Sequence, residues 1–238
     1  MSTLSPSTLP VIAIDGPAAA GKSTVAKGVA DELGIRSFDT GLLYRAAALV
    51  AIDRAIAPSD GPALAAAIDH SFLDLNRAGE MLLDGVNVSS RLRSPEVESI
   101  VSEVAAHSAV RRSLFRVQRR IAESAPVVMV GRDITTVVVP DAAVRIYLDA
   151  SVEERARRRL IDKRMSDESA TYSTILAELR ERDRRDSSRE NAPLFAAEGV
   201  TVINSDELTP LEVIELIAGL ARQAMPSLSG HRKGARAT

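Results

Sequence analysis

The residues best suited to chemistry lie near the start of the chain, in a turn at 16–23 that reads Gly-Pro-Ala-Ala-Ala-Gly-Lys-Ser. Residues 10–15, before this turn, form an apolar run rich in β-branched residues, which predicts a buried strand. Residues 25–33, after it, carry apolar side chains at helical spacing. A strand, a tight turn and a helix in this order form the context that a phosphate-binding P-loop requires. In that context a chance glycine-rich turn is the weaker interpretation.

Each residue type in this turn suits the binding of an anion. Gly16 and Gly21 let the backbone turn tightly and approach a phosphate closely. The N–H groups of the loop and the N-terminus of the following helix direct positive partial charge at that phosphate. Lys22 adds a full charge, and the Ser23 hydroxyl is a suitable ligand for Mg²⁺. The sequence thus predicts a nucleoside triphosphate site formed by Gly16, Pro17, Ala18, Ala19, Ala20, Gly21, Lys22, Ser23 and Thr24.

The composition excludes several other kinds of site. The chain has no cysteine, so it contains no disulfide, no thiolate metal site and no cysteine nucleophile. Its 3 histidines are scattered, which argues against a zinc site. The near balance of 30 basic and 32 acidic residues provides no overall field for a nucleic acid or a membrane. We therefore expect small-molecule partners, with no nucleic acid and no membrane among them.

The hydropathy of the chain bears on its location. Residues 1–10 lack a basic start and an apolar core, so we expect no signal peptide. No uncharged apolar run approaches the ~20 residues that are needed to cross a bilayer. A cytoplasmic location is the expectation that follows.

Strand and helix patterns alternate along most of the chain. Further strands are predicted at about 35–38, 127–130, 143–148 and 199–204. This alternation predicts an α/β fold with a parallel five-stranded sheet and helices on both faces. Ligands of such sheets bind at the carboxyl ends of the strands. Polar residues follow or end four of these strands, namely Asp15, Asp39, Asp133 and Asp149.

Residues 55–95 break this alternation. Short apolar runs at 72–75, 81–83 and 86–88 are separated by turn residues. The dipeptide Asp84-Gly85 between two apolar runs is a strong hairpin signal. The pattern predicts a small antiparallel β insert, followed by a helix from about 95 and another over 108–124.

Four groups of residues outside the P-loop carry arginine. They are Asp39-Thr40-Gly41-x-x-Tyr44-Arg45; Gly131-Arg132-Asp133; Arg155, Arg158 and Arg159 on one helical face; and Arg182, Asp186 and Arg189 on one face of a later helix. Each group alone is equally consistent with a solvated face, a turn or an ordinary ion pair. An enzyme that moves a phosphoryl group between two phosphate-bearing molecules must gather several negative charges and exclude water. Four arginine-bearing groups around one P-loop fit that requirement.

The sequence also bears on other classes of P-loop protein. The chain lacks the Asn-Lys-x-Asp tetrapeptide with which GTPase switches read guanine, and this favours a small-metabolite kinase. A nucleotide-binding regulatory protein that transfers no phosphate stays open, although the intact Lys22 argues against it. A shikimate- or thymidylate-type kinase is a further alternative, and the Asp84-Gly85 insert argues against it.

The motifs together resemble those of the bacterial cytidylate kinase family. They are residues 16–24, the Asp39-to-Arg45 segment, Gly131-Arg132-Asp133, Pro140-Asp141-Ala142, Glu181-Arg182-Asp183 with Asp186 and Arg189, and Ala192-Pro193-Leu194. The match runs in order from about residue 10 to 224. The P-loop is common to many families, whereas the combination of later motifs is specific. One departure is Val130, where some relatives carry Asp.

The resemblance implies an ATP-dependent CMP or dCMP kinase, usually monomeric, that uses Mg²⁺ with ATP and has the nucleoside monophosphate kinase fold. It implies a core over 10–59, 111–156 and 176–225, a monophosphate-binding insert over 60–110 and a helical lid over 157–175. The basic segment 226–238 is predicted to be a disordered tail.

The resemblance also assigns roles to single residues. Positions that resemble CMP ligands are Thr40, Tyr44, Arg45, Ser102, Arg111, Arg132, Asp133, Arg182, Asp186 and Arg189. Within this set, Ser102, Arg111 and Asp133 match the positions that read the cytosine edge. Positions that resemble catalytic groups are Lys22, Arg132, Arg158, Arg159 and Arg189, with Arg158 and Arg159 as lid arginines that cover ATP.

Overall fold

A computed structural model describes residues 9–76, 79–164, 170–188 and 194–230 of the chain. The strands are β1 (Leu9–Asp15), β2 (Arg36–Asp39), β3 (Leu73–Leu75), β4 (Met81–Leu83), β5 (Val86–Asn87), β6 (Val127–Gly131), β7 (Ala142–Asp149) and β8 (Thr201–Asn204). The α-helices are α1 (Lys22–Leu33), α2 (Gly41–Asp53), α3 (Gly61–Asp69), α4 (Pro95–Ala106), α5 (Ser108–Ser124), α6 (Val152–Arg164), α7 (Tyr172–Ser187) and α8 (Pro210–Ala224).

The chain divides into two compact units. The P-loop unit contains the described residues up to Ser37 and from Val127 onward, and the helical unit contains Phe38–Pro126. The predicted insert at 60–110 lies inside the helical unit, which also includes α2 and α5. The unit is wider than the insert because α2 packs on α3 and α4, while α5 packs on α3.

The five-stranded sheet has the order β2-β6-β1-β7-β8. Strand β1 pairs in parallel with β6 and β7, and β7 pairs in parallel with β8. In this register Asp15 lies opposite Gly131 on one side and Tyr147 on the other. The carboxyl ends of three adjacent strands therefore meet at one edge, as the alternating pattern predicted, and the predicted fold class is confirmed.

A continuous apolar cluster joins one face of this sheet to α1 and α8. Its members include Ile12, Ile14, Val25, Val29 and Ile217, each at most 3 % exposed. Because the strands are covered, they read as apolar runs rather than as an alternation of apolar and polar residues. Helix α8 begins with a capping box in which Thr209 and Glu212 satisfy each other's backbone N–H groups.

The helical unit carries the predicted three-stranded antiparallel sheet, in the order β3-β4-β5. The turn between β4 and β5 is Asp84-Gly85, with φ of 51° and 82°. Two successive residues at positive φ give the mirror-image turn that suits the twist of a two-residue hairpin. Ser94 caps α4 by accepting a hydrogen bond from the N–H of Val97, and Pro95 opens that helix.

Two segments differ from the sequence prediction. Residues after the Gly131-Arg132-Asp133 turn form a π-helix, Ile134–Val138, in a stretch where no element is predicted from the sequence. The prediction of a disordered tail from residue 226 is wrong for Pro226–Gly230, which form a 3₁₀-helix. Leu228 in this helix is 7 % exposed and packs in the cluster with α8, so its apolar side chain holds the segment in place. Residues 231–238 lie outside the described residues.

In the described part of the chain, no helix combines the length and the apolar character needed to cross a membrane.

The first glycine of the P-loop is fixed by close packing. A Cβ atom at Gly16 would lie 2.0 Å from the carbonyl oxygen of Leu148, and the φ of Gly16 is 150°. We expect Gly16→Ala to lower the free energy of unfolding by at least about 3 kcal/mol, because backbone atoms of β7 cannot yield cheaply. Urea denaturation followed by circular dichroism measures this change.

The matched control is Gly219→Ala in α8, where a Cβ atom meets nothing within 4 Å. Alanine in this helix interior should raise the free energy of unfolding by about 0.5–1 kcal/mol. Equal effects of the two substitutions would contradict the role assigned to the Gly16–Leu148 contact.

Candidate functional site

The P-loop folds as a cradle between β1 and α1. Gly21 is the N-cap of α1, with φ of 88°, and Ala19 also has a positive φ of 62°. The Nζ of Lys22 donates to the carbonyl oxygen of Pro17 at 2.6 Å, and Lys22 is 8 % exposed. The first turn of α1 carries no acidic side chain, while Ser23 is exposed there. The helix N-terminus and the lysine thus place positive charge where an anion can bind.

A buried arginine supports this loop from α6. Arg155, 5 % exposed, donates from Nη1 to the carbonyl oxygen of Ala18 at 3.1 Å and from Nε to that of Ala150 at 2.9 Å. Its Nη1 and Nη2 also donate to the two carboxylate oxygens of Asp183 at 3.1 and 2.6 Å. The guanidinium therefore joins the P-loop, the end of β7 and helix α7.

Sequence reasoning missed this structural role, because it grouped Arg155 with Arg158 and Arg159 as one arginine face. Val152, Ala156 and Leu160 pack in an apolar cluster with Ala18 of the P-loop and with Ile175 and Leu179 of α7. Helical spacing places both Arg155 and the exposed Arg159 beside this stripe, so the sequence pattern of α6 does not single out Arg155.

The Gly131-Arg132-Asp133 turn lies at the carboxyl end of β6, in the P-loop unit. The Nε of Arg132 donates to Oδ2 of Asp186 in α7 at 2.8 Å. The Asp186 side chain is 3 % exposed and that of Arg132 is 17 % exposed. Asp133 is also buried, whereas Arg182 is exposed on α7. Two predicted site residues, Arg132 and Asp186, are thus brought together from distant parts of the chain.

Asp15, at the end of β1, contacts the residues that follow this turn. Its Oδ1 accepts from the N–H of Ile134 at 2.9 Å. Its Oδ2 accepts from the N–H and the hydroxyl of Thr135, both at 2.7 Å. Burial raises the pKa of the Asp15 carboxyl, and these three hydrogen bonds oppose that rise. Sequence reasoning noted Asp15 only as a polar strand end.

The predicted lid arginines occupy different surroundings. Arg158 donates from Nη1 to the Ser205 hydroxyl at 3.0 Å and from Nη2 to the Ser205 carbonyl at 2.6 Å. Its Nε also donates to Glu154 at 3.0 Å. Arg159 is exposed on α6. Of the predicted lid at 157–175, residues 165–169 lie outside the described residues, as does the predicted site residue Arg189.

The helical unit holds the other predicted site residues. Thr40, 3 % exposed, is the N-cap of α2, and the N–H of Gly41 donates to Asp39 at 2.9 Å. The Arg111 guanidinium lies 5.3 Å from the centre of the Tyr44 ring. Two predicted ligands from α2 and α5 are thus in contact through a cation–π interaction.

Arg45 is held by polar groups of the same unit. Its Nη1 donates to the carbonyl oxygen of Leu92 at 3.1 Å and to Oε1 of Glu98 at 2.6 Å. Its side chain is 19 % exposed, so the guanidinium is oriented rather than loosely solvated. Ser102 is exposed on α4.

The residues present suit a magnesium ion that arrives with its nucleotide. Among the described residues, no group of three or more His, Asp or Glu side chains could hold a metal ion. Mg²⁺ commonly takes one or two protein ligands and completes its shell with substrate phosphates and water. The exposed Ser23 hydroxyl beside Lys22 is a group of the kind that can serve as such a single ligand.

Comparisons with known proteins agree on one family. A statistical model of the family described as "Cytidylate kinase" matches residues 12–223. The chain is 44 % identical over 216 residues to the cytidylate kinase of Herpetosiphon aurantiacus, covering 88 % of this chain and 93 % of the relative. It is 42 % identical over 219 residues to the cytidylate kinase of an Enterobacter species, covering 91 % and 96 %.

A third relative has a longer chain. The bifunctional pantoate ligase/cytidylate kinase of a Synechocystis species is 43 % identical over 221 residues, which are 90 % of this chain and 43 % of the relative. This chain therefore spans less than half the length of that bifunctional protein.

Removal of the buried guanidinium tests the support of the P-loop. We expect Arg155→Met to lower the free energy of unfolding by about 2–4 kcal/mol, because it leaves two carbonyl oxygens and Asp183 without their donor. The matched control is Arg157→Met, since Arg157 is exposed on the same helix and pairs with Glu154 three residues away. That control should change stability by less than about 0.5 kcal/mol. Chemical denaturation of both variants measures the difference, and equal costs would contradict a supporting role for Arg155.

Proposed function

We propose that this chain, which belongs to the cytidylate kinase family, transfers the γ-phosphoryl group of ATP to CMP or dCMP and releases ADP with CDP or dCDP. One observation carries the proposal. Adjacent parallel strands of the P-loop unit end at one edge, where β1 leads into the P-loop and β6 leads into Arg132 and Asp133. This edge supplies both a triphosphate cradle and an arginine-bearing turn.

The P-loop residues bind the donor in this mechanism. Backbone N–H groups of residues 16–24, except Pro17, and the N-terminus of α1 hold the β- and γ-phosphates, and Lys22 follows the charge of the γ-phosphate. Ser23 would be the protein ligand of Mg²⁺, which would neutralise charge at the phosphates when bound. The support of the loop by Arg155 fixes the cradle before the nucleotide arrives, so little of the binding energy is spent on ordering it.

Transfer is direct and in line. The attacking oxygen belongs to the acceptor phosphate, which is already anionic, so no histidine or other general base is required. Arg132, Arg158, Arg159 and Arg189 offset the charge that develops between donor and acceptor. Arg158 now donates hydrogen bonds to Ser205 and Glu154. These bonds must be exchanged for bonds to the nucleotide before Arg158 can offset that charge.

The proposed acceptor ligands in the P-loop unit are Arg132, Asp133, Arg182, Asp186 and Arg189. Those in the helical unit are Thr40, Tyr44, Arg45, Ser102 and Arg111. The bond from Arg132 to Asp186 orients its guanidinium for an anion, since the Nε side of the plane is fixed. The contact with Tyr44 orients the Arg111 guanidinium to read the edge of the cytosine base.

We further propose a monomeric, cytoplasmic enzyme whose partners are ATP and CMP or dCMP. The near balance of 30 basic and 32 acidic residues favours these small anions over a nucleic acid or a membrane surface. Light scattering at working concentration measures the oligomeric state.

Substitution of the P-loop lysine tests phosphoryl transfer. We expect Lys22→Ala to lose roughly 10³-fold or more in kcat, because the charge that follows the γ-phosphate is removed. The matched control is Lys27→Ala on the same helix, where the exposed Lys27 pairs with Asp31 at 2.8 Å. That control should retain wild-type turnover. A coupled assay that detects ADP and CDP measures both, and calorimetry that shows ATP binding by the wild type without turnover would contradict the proposal in favour of a nucleotide sensor.

The preference of the enzyme among nucleobases tests the assignment of CMP as the acceptor. Cytosine presents an amino donor where uracil presents a carbonyl acceptor, so a buried polar site matched to one rejects the other by up to roughly 10⁴–10⁵-fold. We expect kcat/KM for CMP to exceed that for UMP and AMP by at least about 10²-fold. A comparison of nucleoside monophosphates at saturating ATP gives the ratios, and a preference for UMP or AMP would overturn the assignment of CMP.

A further inference from the structure

We infer that Asp15 is a positioning residue that holds the Gly131–Asp133 turn in register with the P-loop, and so fixes the acceptor-binding Arg132 and Asp133 relative to the donor-binding loop. The inference rests on the proposed function for the identity of the acceptor. Its geometry, however, lies entirely within the P-loop unit.

Asp15 is connected to both ends of the turn. Its backbone lies opposite Gly131 in the β1–β6 pairing, at the start of the turn. Its carboxylate takes the N–H groups of Ile134 and Thr135 and the Thr135 hydroxyl, directly after the turn. One residue therefore brackets the three residues Gly131–Asp133, and it lies about 120 positions away in sequence.

The carboxylate also supplies what the π-helix needs at its start. In this helix the N–H of Val138 donates to the carbonyl of Asp133 at 3.0 Å, and the N–H of Val139 donates to that of Ile134 at 2.7 Å. The first N–H groups of any helix find no partner within it, and π-helices are rare and brief. Both oxygens of a fully buried Asp15 meet this requirement, so the π-helix is secured where it leaves the turn.

Asp15 lies directly before the P-loop, and this position connects its contact with substrate binding. The next residue is Gly16, whose backbone is packed against Leu148 and begins the P-loop. A shift of the Asp15 carboxylate would move the turn. The backbone of Asp15 and the P-loop would stay in place, because β1 is paired with β6 and β7. Loss of the carboxylate should thus weaken acceptor binding more than donor binding. A merely structural hydrogen bond would instead lower stability and affect both substrates alike.

Two substitutions remove the contact in different ways. Asp15→Asn keeps the size of the side chain but turns one acceptor oxygen into an NH₂ group, which faces a backbone N–H donor in either orientation of the amide. Thr135→Val keeps the shape of Thr135 and removes its hydroxyl. The matched control is Thr136→Val on the same helix, because the Thr136 hydroxyl, buried, has no hydrogen-bond partner among the described residues.

Steady-state kinetics separate the two substrates. We expect KM for CMP to rise about 10-fold or more in Asp15→Asn and about 3–10-fold in Thr135→Val, while KM for ATP changes less than about twofold. Thr136→Val should match the wild type in both constants. The double variant Asp15→Asn with Thr135→Val should show no larger effect than Asp15→Asn alone, because both act through one contact. Equal changes in the two KM values, or additive effects, would overturn the inference.

Hydrogen exchange gives a readout that does not depend on the acceptor. In Asp15→Asn, the amides of the 131–139 segment should exchange about 10-fold faster than in the wild type, while those of α1 keep their protection. If the wild type fails to phosphorylate CMP but this local change is seen, the proposed function falls and the positioning role stands. If exchange rises throughout the unit, or not at all, the positioning role falls. Should Asp15→Asn not fold, the same measurements on Thr135→Val decide.

Discussion

A loop that binds phosphate through its N–H groups has to be held by its carbonyl oxygens, and this constraint organises the P-loop unit. The Pro17 carbonyl accepts from Lys22, and the Ala18 carbonyl accepts from Arg155. Both donors are cationic and buried, so the loop is supported by two charges, one from the start of α1 and one from α6. Positive charge that supports the loop also raises the local potential for the anion that the loop receives.

Helix α7 provides anionic partners for two arginines, the buried Arg155 and the partly buried Arg132. Asp183 binds Arg155 and Asp186 binds Arg132, and the two carboxylates lie three residues apart on the same helix. The α6–α7 pair therefore connects the support of the P-loop with the turn after β6. Arginine suits these positions because its planar fork fills two acceptors at once and keeps its charge when it is desolvated. The apolar cluster of Ala18, Ile175 and Leu179 gives the same elements a packed contact, so the ion pairs are not their sole attachment.

The sequence predicts those features whose causes are local. The P-loop and the Asp84-Gly85 hairpin depend on neighbouring residue types, and the structure has both of them. The fold class follows from the alternation of apolar runs with helical patterns. The family is indicated by several motifs that occur in the expected order. Among these motifs, only the P-loop indicates its chemistry by itself.

Features that depend on distant partners could not be predicted in this way. The pairing of Arg132 with Asp186 spans 54 positions, and i,i+4 spacing offered Arg182 as the nearer partner. The burial of Arg155 depends on α7 and the P-loop packing around it, and the contacts of Asp15 depend on the strand register. The first N–H groups of the π-helix are met by a carboxylate from β1, about 120 positions away in sequence. Local propensity carries no information on any of these, since the partners become neighbours only after the sheet has formed.

The positions of the two carboxylates along α7 make the unit uneven in its resistance to local opening. Asp186 lies one residue before the end of the helix at Ser187, whereas Asp183 lies a turn further inside. Helix ends open more readily than helix interiors, so unwinding of the last turn would release Arg132 before Arg155. The P-loop is thereby connected to the interior of α7, and the turn after β6 is connected to the last turn of that helix. A contact that stabilises the last turn of α7 would hold the turn after β6 more firmly while leaving the P-loop as it is.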